Sequence, residues 1–163
     1  MTHVRRVREK LTTIAALGIG AASVLAAGLV DASPLAAGPH AEGDHFSVDA
    51  ALVGACAPSS ECTLALKLTV RDEYHVNMEY PHKFTAVDAA GVEFLGKDPA
   101  KKNVFSKTAG DFVSTDPKSG VLTVRFKSQA GSPIISGTLK LGVCSEQNCL
   151  LPQVEIAVPV TVK

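Results

Sequence analysis

Apolar and polar residues alternate with a period of two through most of this chain. "TLALKLTV" sets Leu64, Leu66, Leu68 and Val70 on one side of an extended backbone and Thr63, Ala65, Lys67 and Thr69 on the other, which is the pattern of a half-buried strand. "VLTVRFK" does the same with Leu122, Val124 and Phe126, and "TLKLGV" with Leu139, Leu141 and Val143. "VEIAVPVTV" closes the series with Val154, Ile156, Val158, Val160 and Val162. Shorter candidates are Phe46–Val53, His75–Asn77, Phe84–Asp88, Val92–Leu95 and Phe112–Ser114.

Many short strands broken by Gly, Pro, Asp and Ser turns, with no helical stripe after residue 32, predict an all-β fold, an immunoglobulin-like antiparallel β-sandwich. The antibody version, with a Trp packed on a long-range disulfide, is not expected, because the chain has no Trp. Pro159 cannot donate to a sheet ladder, so the last strand is expected at a sheet edge or at a bulge. "GKDPAKKNVFSKTAG", Gly96 to Gly110, shows no alternation and is expected to be a long loop.

The N-terminus follows a different logic. Arg5, Arg6, Arg8 and Lys10 precede an uncharged run from Leu11 to Val30, and Val30-Asp31-Ala32 offers compact residues to a signal peptidase. Residues 1–32 are therefore expected to be an export signal cleaved near Ala32, with an uncleaved anchor as the alternative. "SPLAAGPHAEGD", residues 33–44, lacks any period and is expected to be a flexible leader before a single domain over 45–163. The 16 basic and 16 acidic residues of the whole chain become 12 and 14 without residues 1–32. Nothing in that balance suggests nucleic acid.

Four cysteines remain, Cys56, Cys62, Cys144 and Cys149, and an even number in an exported chain suits disulfides. They allow three pairings. The simplest is local, 56 with 62 and 144 with 149, around "APSSE" and "SEQN". Such short rings stabilise by only about 2 kcal/mol on a chain-entropy argument, so they are inefficient staples. This favours a redox role without deciding it. Zinc is not expected, since neither pair has the two-residue spacing of a zinc knuckle. Two weak metal clusters remain as alternatives, His40 and His45 with Glu42 and Asp44, and His75 with His82; the plainer expectation for His82, after Pro81, is a solvated turn residue. The pattern calls for no cofactor.

Two stretches carry a resemblance. "GTLKLGVCSEQNCLLPQVEIAVPV" resembles the last hairpin of the N-terminal periplasmic domain of the membrane reductase DsbD, and "RDEYHVNMEYPHKFTAVD" resembles an earlier part of that family. The likeness covers most of Phe46 to Lys163. It implies a periplasmic domain that relays electrons by thiol–disulfide exchange between a membrane donor, here expected to be encoded separately, and thioredoxin-fold proteins; as an activity it would be a protein-disulfide reductase or electron-relay component. Carried over by position, it implies Cys144 and Cys149 as the redox pair, with Cys149 forming the mixed disulfide and Cys144 resolving it. It further implies His75 and Asn77 as lining residues, and a covering loop whose natural candidate is Gly96–Gly110 with Phe105 as the cap. The family proline is displaced by one, to Pro152, and Cys56 and Cys62 fall outside the motif, which makes them structural.

Exchange needs a thiolate. "SEQN" holds no cation, and Glu146 would oppose a thiolate by like-charge repulsion, so a strongly acidic thiol is not expected. His75 is a candidate proton acceptor or positive neighbour, against the plainer role of a hydrogen-bonded histidine at a strand start. The rival to the whole scheme is a non-redox exported β-sandwich binding module with two structural disulfides.

Overall fold

A computed structural model describes residues 38–163. The expected export signal, residues 1–32, and the first residues of the expected leader, 33–37, lie outside the described residues. Thirteen strands and no helix occur among those described: β1 (His40–Gly43), β2 (Phe46–Val53), β3 (Cys62–Val70), β4 (His75–Val76), β5 (Lys83–Ala86), β6 (Val92–Phe94), β7 (Val104–Ser106), β8 (Phe112–Asp116), β9 (Ser119–Ser128), β10 (Ile134–Lys140), β11 (Val143–Cys144), β12 (Cys149–Leu150) and β13 (Gln153–Pro159).

They form an immunoglobulin-like antiparallel β-sandwich. One sheet runs β1-β2-β3-β9-β6, with β8 also paired to β9, and the other runs β13-β10-β5-β7. The alternating residues meet between them: Leu64, Leu66, Leu68, Leu122, Val124 and Phe126 from the first sheet are buried, as are Phe84, Ile135, Leu139 and Ile156 from the second. Burying each such side chain stabilises by roughly 1.5–3 kcal/mol, which is why the period-two pattern selects the pairing register. β13 is an edge strand, as Pro159 requires.

A third, three-stranded sheet, β12-β11-β4, extends from one end of the sandwich. β10 leads into β11 through Leu141 and Gly142, where Tyr80 packs so closely on Gly142 that a Cβ there would lie 2.5 Å from its ring. Only glycine fits under that ring.

Two expectations fail. The leader is not flexible throughout, because His40–Gly43 is an edge strand paired with β2, His40 opposite Asp49 and Gly43 opposite Phe46. Arg71 fastens it, donating to Glu42 Oε1 at 2.6 Å and to the Gly43 carbonyl at 2.7 Å. These partners are 28 and 29 residues away in sequence, so the clamp on this short hairpin strand is set by the fold. The Gly96–Gly110 segment is also not a free loop. It contains β7, hydrogen-bonded to β5 with Phe105 opposite Phe84.

Candidate functional site

Both disulfides form locally, Cys56 with Cys62 and Cys144 with Cys149. Their surroundings differ. Cys56 and Cys62 are each only 3% exposed and belong to the hydrophobic core, where the ring also holds the chain end through the Lys163 amide donating to the Cys56 carbonyl. That is the environment of a structural cystine.

Cys144 and Cys149 face each other across β11 and β12, with Cα atoms 4.1 Å apart. Ser145 closes the turn between them: its amide donates to the Asn148 carbonyl at 2.8 Å, and its hydroxyl accepts from the Asn148 amide at 3.1 Å. On the other side of Cys144 stands His75 of β4, its direct cross-strand partner. Cross-strand partners share a face, so Cys149, Cys144 and His75 form one row. The row behind it, Leu150, Val143 and Val76, turns to the core. Cys144 on the central strand is 5% exposed, whereas Cys149 and His75 on the flanking strands are exposed.

Asn77 completes the site. Its amide nitrogen Nδ2 donates to Cys144 Sγ at 3.2 Å. The side-chain oxygen accepts from the Glu79 amide at 2.9 Å, and its own backbone amide donates to the Gly142 carbonyl at 2.9 Å. Because the oxygen already faces an N–H, the NH₂ end must face the sulfur. A hydrogen bond from an amide is stronger to a thiolate than to a neutral sulfur, so this donor favours the ionised form of Cys144 once the bond opens. A shallow depression of about 410 Å³ runs alongside, from His75 and Met78 to Pro117.

Of the residues singled out from sequence, Cys144, Cys149, His75 and Asn77 are brought together. Phe105 is not. It is fully buried between the sheets, 6.3 Å edge-on to Phe94, and so is a core residue rather than a cap.

His82 also departs from expectation. It is fully buried, not solvated: the ring stacks on Phe112 at 4.1 Å, and Nε2 donates to the Asn77 carbonyl at 2.8 Å. A carbonyl only accepts, which puts the proton on Nε2 and leaves Nδ1 as a buried acceptor with no partner among the described residues. An unmet group of this kind costs about 1–3 kcal/mol. Burial holds the imidazole below its ordinary pKa; the bond to Asn77 opposes this and the Lys107 ammonium adds to it. The sequence did carry a signal, since His82, Phe84 and Ala86 alternate onto the core face.

Of the weak metal groupings, His40 pairs with Asp49 at 2.7 Å and His45 with Asp72 at 2.8 Å. Among the described residues no group of three or more His, Cys, Asp or Glu side chains is arranged to hold a metal.

The molecule is thus an immunoglobulin-like β-sandwich with one core cystine and one cystine at the mouth of an edge hairpin. No family model matches the chain, and no curated protein matches it in sequence. Among solved structures, AggA, the major subunit of aggregative adherence fimbriae type I from Escherichia coli, is similar with a TM-score of 0.35 and 9% identity, over 75% of this chain and 98% of that one. The PapD-like domain 7 of human CEP192 is similar with a TM-score of 0.24 and 12% identity, over 70% and 86%.

Proposed function

We propose that this protein is an exported, periplasmic thiol–disulfide exchange domain that relays electrons through Cys144 and Cys149 to thioredoxin-fold proteins. The observation that carries the reading is the asymmetry of the pair. Cys149 is exposed at a strand edge, while Cys144 is buried and already receives a hydrogen bond from Asn77.

Exchange follows from that geometry. A partner thiolate attacks Cys149 Sγ, the 144–149 bond breaks, and Cys144 leaves as a thiolate beside the Asn77 amide; the partner's second thiolate then attacks the partner sulfur of the mixed disulfide and releases Cys149 as a thiolate. In the reverse direction Cys149 opens a partner disulfide, and Cys144 then attacks Cys149 Sγ to expel the partner thiolate. One S–S bond forms and one breaks at each step, so two electrons move with no cofactor. A membrane donor supplies the electrons. His75, the exposed cross-strand neighbour of Cys144, is the candidate to accept or return the thiol proton.

The test is Cys144→Ser, which removes the resolving sulfur. Expressed in the exporting cell, the variant is expected to accumulate a mixed disulfide between Cys149 and a thioredoxin-fold protein, identified by mass after acid quenching. No such adduct, from a folded variant, overturns the reading. The rival binding module predicts two bonds with potentials below about −300 mV, whereas exchange requires the 144–149 bond to be distinctly more oxidising than the 56–62 bond.

A further inference from the structure

Resting on the exchange reading, we infer that His82 is the positioning residue of the site, holding Asn77 so that its amide is aimed at Cys144. The bonds run without a gap. His82 Nε2 donates to the Asn77 carbonyl at 2.8 Å, and Asn77 Nδ2 donates to Cys144 Sγ at 3.2 Å. Between them the backbone from Asn77 to His82 is a tight turn in which the Tyr80 amide donates to the same Asn77 carbonyl at 3.2 Å and the His82 amide to the Tyr80 carbonyl at 3.0 Å.

Ring contacts and a backbone bond hold His82 in place. Phe112 stacks on one face of the ring, Tyr80 stands edge-on at 5.8 Å, and the His82 carbonyl accepts from the Lys107 amide at 2.9 Å. Lys107 Nζ also donates to the Met78 carbonyl, which clamps the turn from outside. A core position that needed only an apolar ring would be filled better by Phe, which leaves no unmet nitrogen. Histidine at this point supplies the one thing Phe lacks, a ring donor for the Asn77 carbonyl. His82 touches no sulfur and acts through Asn77.

The consequence lies in the resolving step. When Cys144 must attack as a thiolate, an Asn77 amide held in place favours that ion; a wandering one does not. The step can be read alone. The full chain, with only the 144–149 bond reduced, is mixed with the disulfide of 5-thio-2-nitrobenzoate. Cys149 attacks first and releases one coloured thiolate; Cys144 then attacks Cys149 Sγ and releases the second, so the dithiol is oxidised and the reagent reduced to two thiols. The second phase, followed against pH, reports the ionisation of Cys144.

His82→Phe is expected to slow the second phase at neutral pH by about tenfold and to move its pH midpoint upward, and Asn77→Ala is expected to do the same. His82→Gln, which restores an amide donor, is expected to recover most of the rate, and the double variant Asn77→Ala, His82→Phe to be no slower than Asn77→Ala alone. A His82→Phe rate within twofold of wild type, or a double variant slowed by the product of the two single effects, overturns the inference. Should His82→Phe not fold, the ¹⁵N shifts of His82 in the wild-type protein decide: the proton on Nε2 supports the inference, and the proton on Nδ1 overturns it. Failure to trap any thioredoxin-fold partner would remove the exchange reading while leaving these rates measurable, so the two fail separately.

Discussion

Neighbouring residues have opposite fates here. His75 of β4 is exposed and Asn77, just past its end, half-buried, whereas Tyr74 and Val76 are buried; the alternation separates the two pairs, and pairing with β11 gives the first two a common neighbour, Cys144. His82 is the other informative residue, since a buried neutral imidazole links stability to pH. Its folded pKa lies below the ordinary 6.5. Between those two values only the unfolded chain takes up the proton. The stability it contributes is therefore complete above about pH 6.5 and falls as pH drops through that value toward the folded pKa. His40 runs the other way: its bond to Asp49 raises its pKa, so its contribution is present below 6.5 and is lost as pH rises through the raised value. It is exposed, and the effect is small. Urea unfolding of wild type and His82→Phe from pH 5 to 8 should show the acid-side loss in wild type only.

At the level of elements, the long alternating strands β2, β3, β9, β10 and β13 were legible in the sequence, while β1, β7 and β12 were not. Each of those three is four residues long or shorter, too brief for a period to register; β1 and β12 are tight-hairpin partners of β2 and β11, and β7 is held by β5. β7 matters most, since it converts Phe105 from an expected cap into a core residue. Phe105→Ala is accordingly expected to lower stability by about 3–5 kcal/mol, read from the urea midpoint. Reduction of the 144–149 bond by a small thiol should keep its native rate while the domain remains folded. The two cystine rings separate in the same way. Cys56→Ser with Cys62→Ser should lower stability by about 2 kcal/mol or somewhat more, given the buried sulfurs, and should leave exchange at Cys149 intact.

For the whole molecule, the decisive feature is how the sandwich is closed along one side. The segment before β2 pairs with both sheets: His40–Gly43 runs antiparallel to β2, while Gly38 bridges Ile156 of β13 and its carbonyl accepts from the Ala157 amide at 2.9 Å. Two strand edges are thereby covered, and uncovered edges invite pairing between molecules. A chain starting at Asp44 is expected to unfold at lower urea and to associate as concentration rises, measured by sedimentation. Retained stability and a monomer at all concentrations would show that the segment is dispensable.

By itself the sequence determined what depends on near neighbours in the chain. Strand alternation follows from the two-residue period of extended backbone, the inward rows from the cost of exposing Leu, Val and Phe, and the edge position of β13 from a proline that has no N–H. Even the two rings were readable, because five or six residues bring the sulfurs within reach of each other. Only the tertiary structure decided why Cys149, the sulfur that the resemblance singled out, is the one that meets the solvent. Cys144 lies on the middle strand of β12-β11-β4 and Cys149 on its edge, a distinction made by β4, whose residues stand almost 70 positions away. The amide on Cys144 and the imidazole behind that amide have the same origin. They reach the site through a turn whose geometry is set by packing on Phe112 and Gly142, and no spacing in the chain encodes such contacts.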